Sequence, residues 1–300
     1  MRGRPLAYVL LLIAILIWGF AYVVTKSGLD AVPPMMFALL RYAVACLLLV
    51  PLALARGGLK RLPHPIPWKT LFLMAITGVA LYYVLFNLAL AYTSASRTAL
   101  IQSAFPAIVA VMAVFWLRER VTRQRFAGIG LAIVGVVLIV ATQDDASARN
   151  PLLGNALAFA SVLSWSTYTI LAKRISDADP IAVTAVISLI GTVMLVPVAL
   201  IENAEVSLSS IQRDGWLAIF YLGGLASAAS YLLYSRALRD IDASLVGAFI
   251  NLSPVIGVVS GVLILGEAIT MPAIIGGVMV LAGVWLSSRR GRDRSEELTV

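Results

Sequence analysis

The chain has 300 residues, of which 61% are hydrophobic and 13% are charged, and its formal net charge is +8. Soluble domains have roughly 45 to 50% apolar and about 25% charged residues, so an ordinary soluble domain is excluded and an integral membrane protein is predicted. A basic charge is also typical of nucleic-acid binding, but its distribution along this chain fits membrane orientation, so we expect membrane lipid as a partner and no nucleic acid.

Ten apolar blocks are long enough, or nearly so, to cross a hydrocarbon core of roughly 30 Å, which takes about 20 helical residues. They run approximately over 6–25, 33–55, 69–92, 98–117, 125–141, 152–172, 181–201, 216–238, 244–265 and 272–288. Short polar hinges, predicted at 93–97 and 239–242, separate neighbouring blocks. The first block exceeds the apolar region of a signal peptide, about 7 to 15 residues, and no small-residue cleavage site ends it. We therefore expect it to be a retained first helix.

The segment from Ala95 to Gly135 occurs twice. Nine of its residues, including Pro106 and Glu119, return 148 positions later, and nearer the N-terminus an offset of 147 pairs Trp18 with Trp165. A proline and a glutamate at fixed spacing inside an apolar run rarely recur by chance. The sequence therefore predicts a duplicated unit.

Lysines and arginines set the predicted orientation. If the N-terminus is cytoplasmic, 18 of the 23 basic residues lie on that side, and the positive-inside rule then places both termini in the cytoplasm. Each half has five spans, an odd number, so the halves enter the bilayer in opposite orientations. The predicted fold is an all-α membrane protein of ten transmembrane helices in two inverted five-helix repeats (5+5), as in secondary transporters with a site near the midplane. The predicted divisions are a first repeat at 1–148, a second at 149–288 and a polar cytoplasmic tail at 289–300.

Several motifs resemble the EamA-type branch of the drug/metabolite transporter superfamily. They are Trp18-Gly19-Phe20 near the end of the first helix, Arg41 in the second, and Pro106 followed by Glu119, with their echoes in the second half. The resemblance covers about 10–288 and is strongest to bacterial inner-membrane exporters of aromatic and other neutral amino acids. It implies a central cavity lined by the first, third, fourth, sixth, eighth and ninth helices and opened alternately to either side.

Two prolines lie near the middle of equivalent spans. Pro106 and Pro254 each remove a helical hydrogen bond and kink their helix, which releases the carbonyls of Gln102 and Ile250. In lipid, such groups need a partner or must line a cavity. Helix packing is the alternative explanation for each kink.

Polar and aromatic side chains cluster beside these prolines and at i, i+4 spacing on the central helices. Packing and substrate contact both remain open for each one. The predicted substrate-binding residues are Trp18, Tyr22, Tyr82, Tyr83, Phe86, Asn87, Gln102, Ser103, Trp165, Tyr231, Tyr234 and Asn251.

Three basic residues are candidate gate or anchor charges. Arg41 lies inside a span, where an ionisable residue is a functional candidate, although it also fits a snorkelling or helix-anchoring role. Lys26 and Lys173 end the first helix of each half. Glu119 and Glu267 end the fourth helix of each half, and we expect them to pair there with arginine or lysine.

The sequence argues against an enzyme, a cofactor and a metal site. The one histidine, His64, lies in a proline-rich loop, and the one cysteine, Cys46, lies in an apolar block. No catalytic or metal-binding motif is present.

We expect an exporter of small metabolites, most similar to amino-acid exporters, that acts by alternating access as a monomer or weak homodimer. Because no acidic residue lies deep in a span, we expect no obligatory ion coupling. The alternative is an efflux carrier for drugs or other hydrophobic metabolites, with proton coupling.

Overall fold

Ten helical spans make up the described part of the protein. The computed structural model describes residues 4–117, 123–141, 148–175, 177–202, 208–237, 249–250 and 252–288. The spans are α1 (Arg4–Gly28), α2 (Pro34–Ala55), α3 (Trp68–Tyr92), α4 (Ala95–Gln102 and Phe105–Leu117), α5 (Arg123–Ala141), α6 (Pro151–Lys173), α7 (Pro180–Glu202), α8 (213–237), α9 (Leu252–Leu265) and α10 (Met271–Ser288). Short 3-10 turns cover Gly58–Arg61 and Leu208–Ser210. The predicted all-α class is confirmed.

Apolar length agrees with a membrane protein. Six of the described helices have the length and composition of a membrane crossing, and shorter apolar helices cover Phe126–Ile139, Leu252–Leu265 and Met271–Ser287. Prolines occupy the first turns of α2, α6 and α7, where a missing N–H costs nothing. The predicted tail at 289–300, the hinge at 239–242 and Glu119 lie outside the described residues.

One predicted boundary was wrong. Residues 93–97 were expected to form a polar hinge before the fourth span, but α4 already begins at Ala95. The Ser94 side chain accepts a hydrogen bond from the Arg97 amide at 3.4 Å and caps this first turn. A hydropathy pattern misses such a turn because its residues are polar although buried.

Glycines join the fifth span of each half. A Cβ added to Gly128 would lie 2.6 Å from the Gly283 carbonyl oxygen, and one added to Gly135 would lie 2.5 Å from that of Gly276. Gly276 and Gly283 are the repeat counterparts of Gly128 and Gly135. Each glycine thus meets the counterpart of the other, as a two-fold axis in the membrane plane requires. Small residues permit this close backbone approach of α5 and α10.

Both α3 and α8 change from α-helix to π-helix midway. The π segments are Ile76–Ala80 in α3 and Tyr221–Ala229 in α8, and the repeat offset superposes the first on the second. A π segment accommodates an extra residue and is frequent at functional sites. These segments precede the tyrosines that the sequence predicted at the central site.

Candidate functional site

A cavity of about 390 Å³ lies between the two halves, within the usual 300 to 1,000 Å³ of small-molecule sites. The described lining residues come from α1, α3, α4, α6, α8 and α9, the six helices that the family resemblance implied. One further lining residue, Arg41, comes from α2. The predicted residues that line the cavity are Trp18, Tyr22, Tyr82, Tyr83, Phe86, Gln102, Ser103, Trp165, Tyr231 and Tyr234, together with Pro106 and Pro254.

Aromatic rings form one wall of the cavity. Tyr82 lies 4.8 Å from Trp165 and stacks on Phe86 at 5.6 Å, measured between ring centroids. Trp165 in turn lies 4.8 Å from Tyr168. Because the rings support one another, this wall presents an ordered apolar surface to a ligand.

A second aromatic group comes from α1 and α8. Trp18 lies 5.8 Å from Tyr231 and 5.6 Å from Tyr234. Its indole nitrogen donates to the carbonyl oxygen of Ala226 at 2.9 Å, so the indole is fixed by the protein. Trp18 therefore offers a ligand its ring rather than its N–H.

The helix break in α4 brings polar groups to the cavity. Gln102 ends the first segment of α4, and its side-chain Nε2 donates to Ser161 Oγ at 2.9 Å. The amide also lies beside the Tyr82 hydroxyl. Ser103 follows, and its hydroxyl donates to the Leu100 carbonyl at 2.5 Å. Gln102 thus retains its amide oxygen for a further contact, whereas Ser103 already uses its proton.

Arg41 is a buried cation in the wall of the cavity. Its side chain is 4% exposed. Its Nε donates to Ser227 Oγ at 3.0 Å and its Nη2 to the Tyr83 hydroxyl at 3.1 Å. The guanidinium carbon also lies 4.4 Å from the centroid of the Tyr83 ring. Among the described lining residues, Arg41 alone carries a formal charge.

Two predicted binding residues are not among the described residues of the central cavity. Asn87 is not among the described cavity residues; its Nδ2 donates to the Pro34 carbonyl at 2.8 Å. Asn251 lies outside the described residues.

The candidate gate lysines lie away from the central cavity. Lys26 donates from Nζ to the carbonyl oxygens of Leu90 at 2.6 Å and Thr93 at 2.9 Å, at the end of α3. It lines a second cavity of about 370 Å³ with Asp30, Arg149 and Glu202, among others. Lys173 ends α6 in an exposed position.

Glu267 links the two halves in a way that the sequence did not indicate. The expected partners were arginine or lysine, but its carboxylate accepts hydrogen bonds from the backbone amides of Ala95 at 2.7 Å and Ser96 at 2.8 Å. Ser96 Oγ also donates to the Val258 carbonyl at 3.3 Å. A carboxylate after α9 therefore caps the N-terminus of α4, where it satisfies free amides and the helix dipole.

Some cavity residues were missed. Tyr168, Phe105 and Ala226 line the cavity, and Ser227 holds Arg41. Tyr168 lies three residues after Trp165, a spacing that puts both on one helix face, so periodicity could have identified it. Ser227 had no local signal, because it reaches Arg41 through a π segment.

Comparisons with known proteins agree with this architecture. The sequence profile described as the EamA-like transporter family matches residues 5–141 and 152–289. An uncharacterized transporter from Bacillus subtilis, YyaM, is 28% identical over 285 residues, which is 94% of this chain and 93% of that protein. A probable amino-acid metabolite efflux pump from Salmonella typhimurium is 27% identical over 290 residues and covers 93% of each chain. One solved crystal structure aligns with a TM-score of 0.65 at 23% identity, covers 96% of this chain and 100% of that one, and has the same fold.

Proposed function

The chain belongs to the EamA-like transporter family, whose profile matches both of its halves, and on this premise we propose that it exports aromatic and other neutral amino acids across the bacterial inner membrane. The family and the relatives named above are transporters, not enzymes. The proposal names a substrate class, a direction and a membrane for this general activity. The similarity to an amino-acid metabolite efflux pump supports the substrate class.

The central cavity carries the proposal. It combines aromatic walls, the Gln102 amide and one cation, Arg41, in a volume of about 390 Å³. An amino acid with an apolar side chain needs rings for that side chain and polar groups for its backbone atoms. Ligand sites of this kind are mostly apolar, with a few polar groups that fix orientation.

Alternating access is the proposed mechanism. The site lies between two inverted halves, so rocking one half against the other opens it to either side. In the proposed orientation both termini are cytoplasmic, and Glu267 and Ala95 lie at the extracytoplasmic face. In this proposal their hydrogen bonds help to close that face when the cavity opens to the cytoplasm.

Absence of a proton-binding group supports transport without obligatory ion coupling. Among the described residues that line the cavity there is no aspartate, glutamate or histidine, whereas proton-coupled carriers commonly use such groups as relays. The driving force proposed for export is therefore the gradient of the amino acid itself.

The test is transport by purified protein in liposomes. Vesicles are loaded with labelled phenylalanine, tryptophan, leucine or lysine, and efflux is compared with that from protein-free vesicles. We expect efflux of the first three and little of lysine, since a cationic side chain has no described counter-charge in the cavity. Release of none of them would contradict the proposed substrate class.

Efflux of hydrophobic drugs is the rival function, and the largely aromatic lining favours it. The Arg41 charge distinguishes the two, because it opposes a lipophilic cation such as ethidium. Ethidium efflux that exceeds phenylalanine efflux would support the rival.

A further inference from the structure

The charge of Arg41 has no counter-charge in the described part of the chain. Its hydrogen-bond partners, Ser227 and Tyr83, are both neutral, and it forms no ion pair with any described carboxylate. Burying an ionised group without a charged partner is costly. A charge in this position therefore indicates a function that a neutral side chain cannot serve.

The guanidinium also keeps donors for a further ligand. An arginine side chain has five N–H donors in a planar fork, and protein groups accept from Nε and Nη2. The side chain is buried and lines the cavity, and among the described residues only Ser227 and Tyr83 accept hydrogen bonds from it. A planar fork of donors matches a carboxylate, which it binds through two parallel hydrogen bonds.

The surrounding helices hold Arg41 in place. Ser227 lies within the π segment of α8, and Tyr83 follows the π segment of α3. Gly223, in the same π segment as Ser227, packs so closely against α2 that an added Cβ would lie 2.5 Å from the Arg41 carbonyl oxygen. Both the backbone and the side chain of Arg41 are thus fixed by elements from two halves.

The two halves do not share the charge of Arg41. Its counterpart in the second half is Ser188, which is buried at 2% exposure. A helix-packing role shared by both halves would place similar side chains at both positions. One cation on one side of the cavity instead gives a bound molecule a defined orientation.

We propose that the Arg41 guanidinium, oriented by Ser227 and Tyr83, binds the carboxylate of the transported molecule. The assignment rests on the export function proposed above and makes it more specific: a substrate must carry an anionic group, with its apolar side chain against the Tyr82 and Trp165 rings. A free inorganic anion would satisfy the same donors, and the experiment separates the two sources.

The experiment measures ligand-induced thermal stabilisation and liposome transport for four related probes. Phenylalanine and phenylpropionate have the carboxylate; phenethylamine and phenylalaninamide have the ring without it. In the wild-type protein we expect binding of the first pair and affinities about ten- to a hundred-fold weaker for the second, as for loss of charged hydrogen bonds. Equal affinity for all four would overturn the proposal without any variant.

Variants locate the contact. Arg41→Gln should weaken the binding of phenylalanine and phenylpropionate by about ten- to a hundred-fold, and Arg41→Lys, which keeps the charge but not the fork, should lie between. Binding of phenethylamine should not weaken in Arg41→Gln, because its ammonium group is repelled by the arginine. Arg149→Gln is the matched control, because Arg149 also lies over a tyrosine ring, that of Tyr92 at 5.8 Å, outside the central cavity. An Arg41→Gln protein that binds phenylalanine like the wild type would refute the assignment.

The outcomes also separate this inference from the export function. If all four probes are transported equally, the protein is a transporter of such molecules and the Arg41 assignment fails. If no amino acid is transported, the export proposal fails, and the assignment is then decided by Arg41-dependent stabilisation with phenylpropionate. Stabilisation by chloride alone would identify an inorganic anion and overturn a substrate carboxylate.

Discussion

Replacing Glu267 with glutamine tests how the two halves are held together. The carboxylate accepts the Ala95 amide at 2.7 Å and the Ser96 amide at 2.8 Å, and the side chain is 7% exposed. Gly261 leaves room for it, since an added Cβ would lie 2.6 Å from Glu267 Oε2. Glutamine keeps one acceptor oxygen and turns an NH₂ group toward the other amide.

The magnitude follows from these two contacts. A hydrogen bond to a charged group contributes about 1.5 to 3 kcal/mol, and Glu267→Gln removes one such bond and weakens the other by loss of charge. The contacted conformation should lose about 1.5 to 3 kcal/mol relative to one in which α4 and α9 separate. That shift is equivalent to roughly a ten- to 150-fold change in the ratio of the two conformations.

Cysteine accessibility measures this shift. Ala21→Cys, in a Cys46→Ala background, places a thiol in the cavity lining, and a membrane-impermeant maleimide is added to intact cells. With the proposed topology, Glu267→Gln should raise the labelling rate from outside. Glu202→Gln is the matched control: its carboxylate also caps a helix, accepting from the Met35 amide at 2.6 Å, but it is exposed and should change labelling less.

Unchanged labelling and unchanged thermal unfolding in a folded Glu267→Gln protein would contradict a stabilising role for this contact. A larger effect of Glu202→Gln on labelling would contradict it as well, because burial would then not determine the strength of the contact.

Gln102→Ala removes the contact with Ser161 and an amide from the cavity. Leaving a buried polar group unpaired costs about 1 to 3 kcal/mol, so transport per folded molecule should fall about five-fold to more than a hundred-fold. Gln124→Ala, whose amide contacts Leu286 outside the cavity, should transport normally, and equal transport by both variants would contradict the cavity assignment. Trp165→Ala should change substrate preference more than expression, because its ring lines the cavity. The Trp216 ring stacks on Phe220 outside the cavity, so Trp216→Ala should change expression more than substrate preference. A reporter fused to the C-terminus should be active in the cytoplasm only, and periplasmic activity would contradict the proposed orientation. An imposed pH gradient with equal amino acid on both sides should cause no accumulation in liposomes; accumulation would show proton coupling.

Hydropathy and the internal repeat were sufficient to predict the ten spans. Long apolar blocks mark helices directly, and an odd number of spans per half requires inversion. The same repeat paired Trp18 with Trp165 as equivalent positions, and both side chains line the cavity. The predictions of the spans and of the inverted repeat succeeded because each depends on local composition or on a fixed offset along the chain.

Long-range polar contacts could not be predicted in the same way. Glu267 and Ala95 are separated by 172 residues, and Arg41 and Ser227 by 186. Nothing near either residue in the sequence specifies its partner. The first turn of α4 was assigned to a loop for this reason: its polar residues are stabilised by a carboxylate from the other half of the chain.

The π segments determine which length changes α3 and α8 can absorb. A π segment accommodates one residue more than the α-helix on either side of it. Deleting one residue within Ile76–Ala80 would therefore return that turn to α-helix, and the Tyr83 hydroxyl would keep its direction toward Arg41. The same deletion in a regular α-helix would turn everything on one side of it by about 100°. A single-codon deletion in α3 is thus best tolerated where the helix is already irregular.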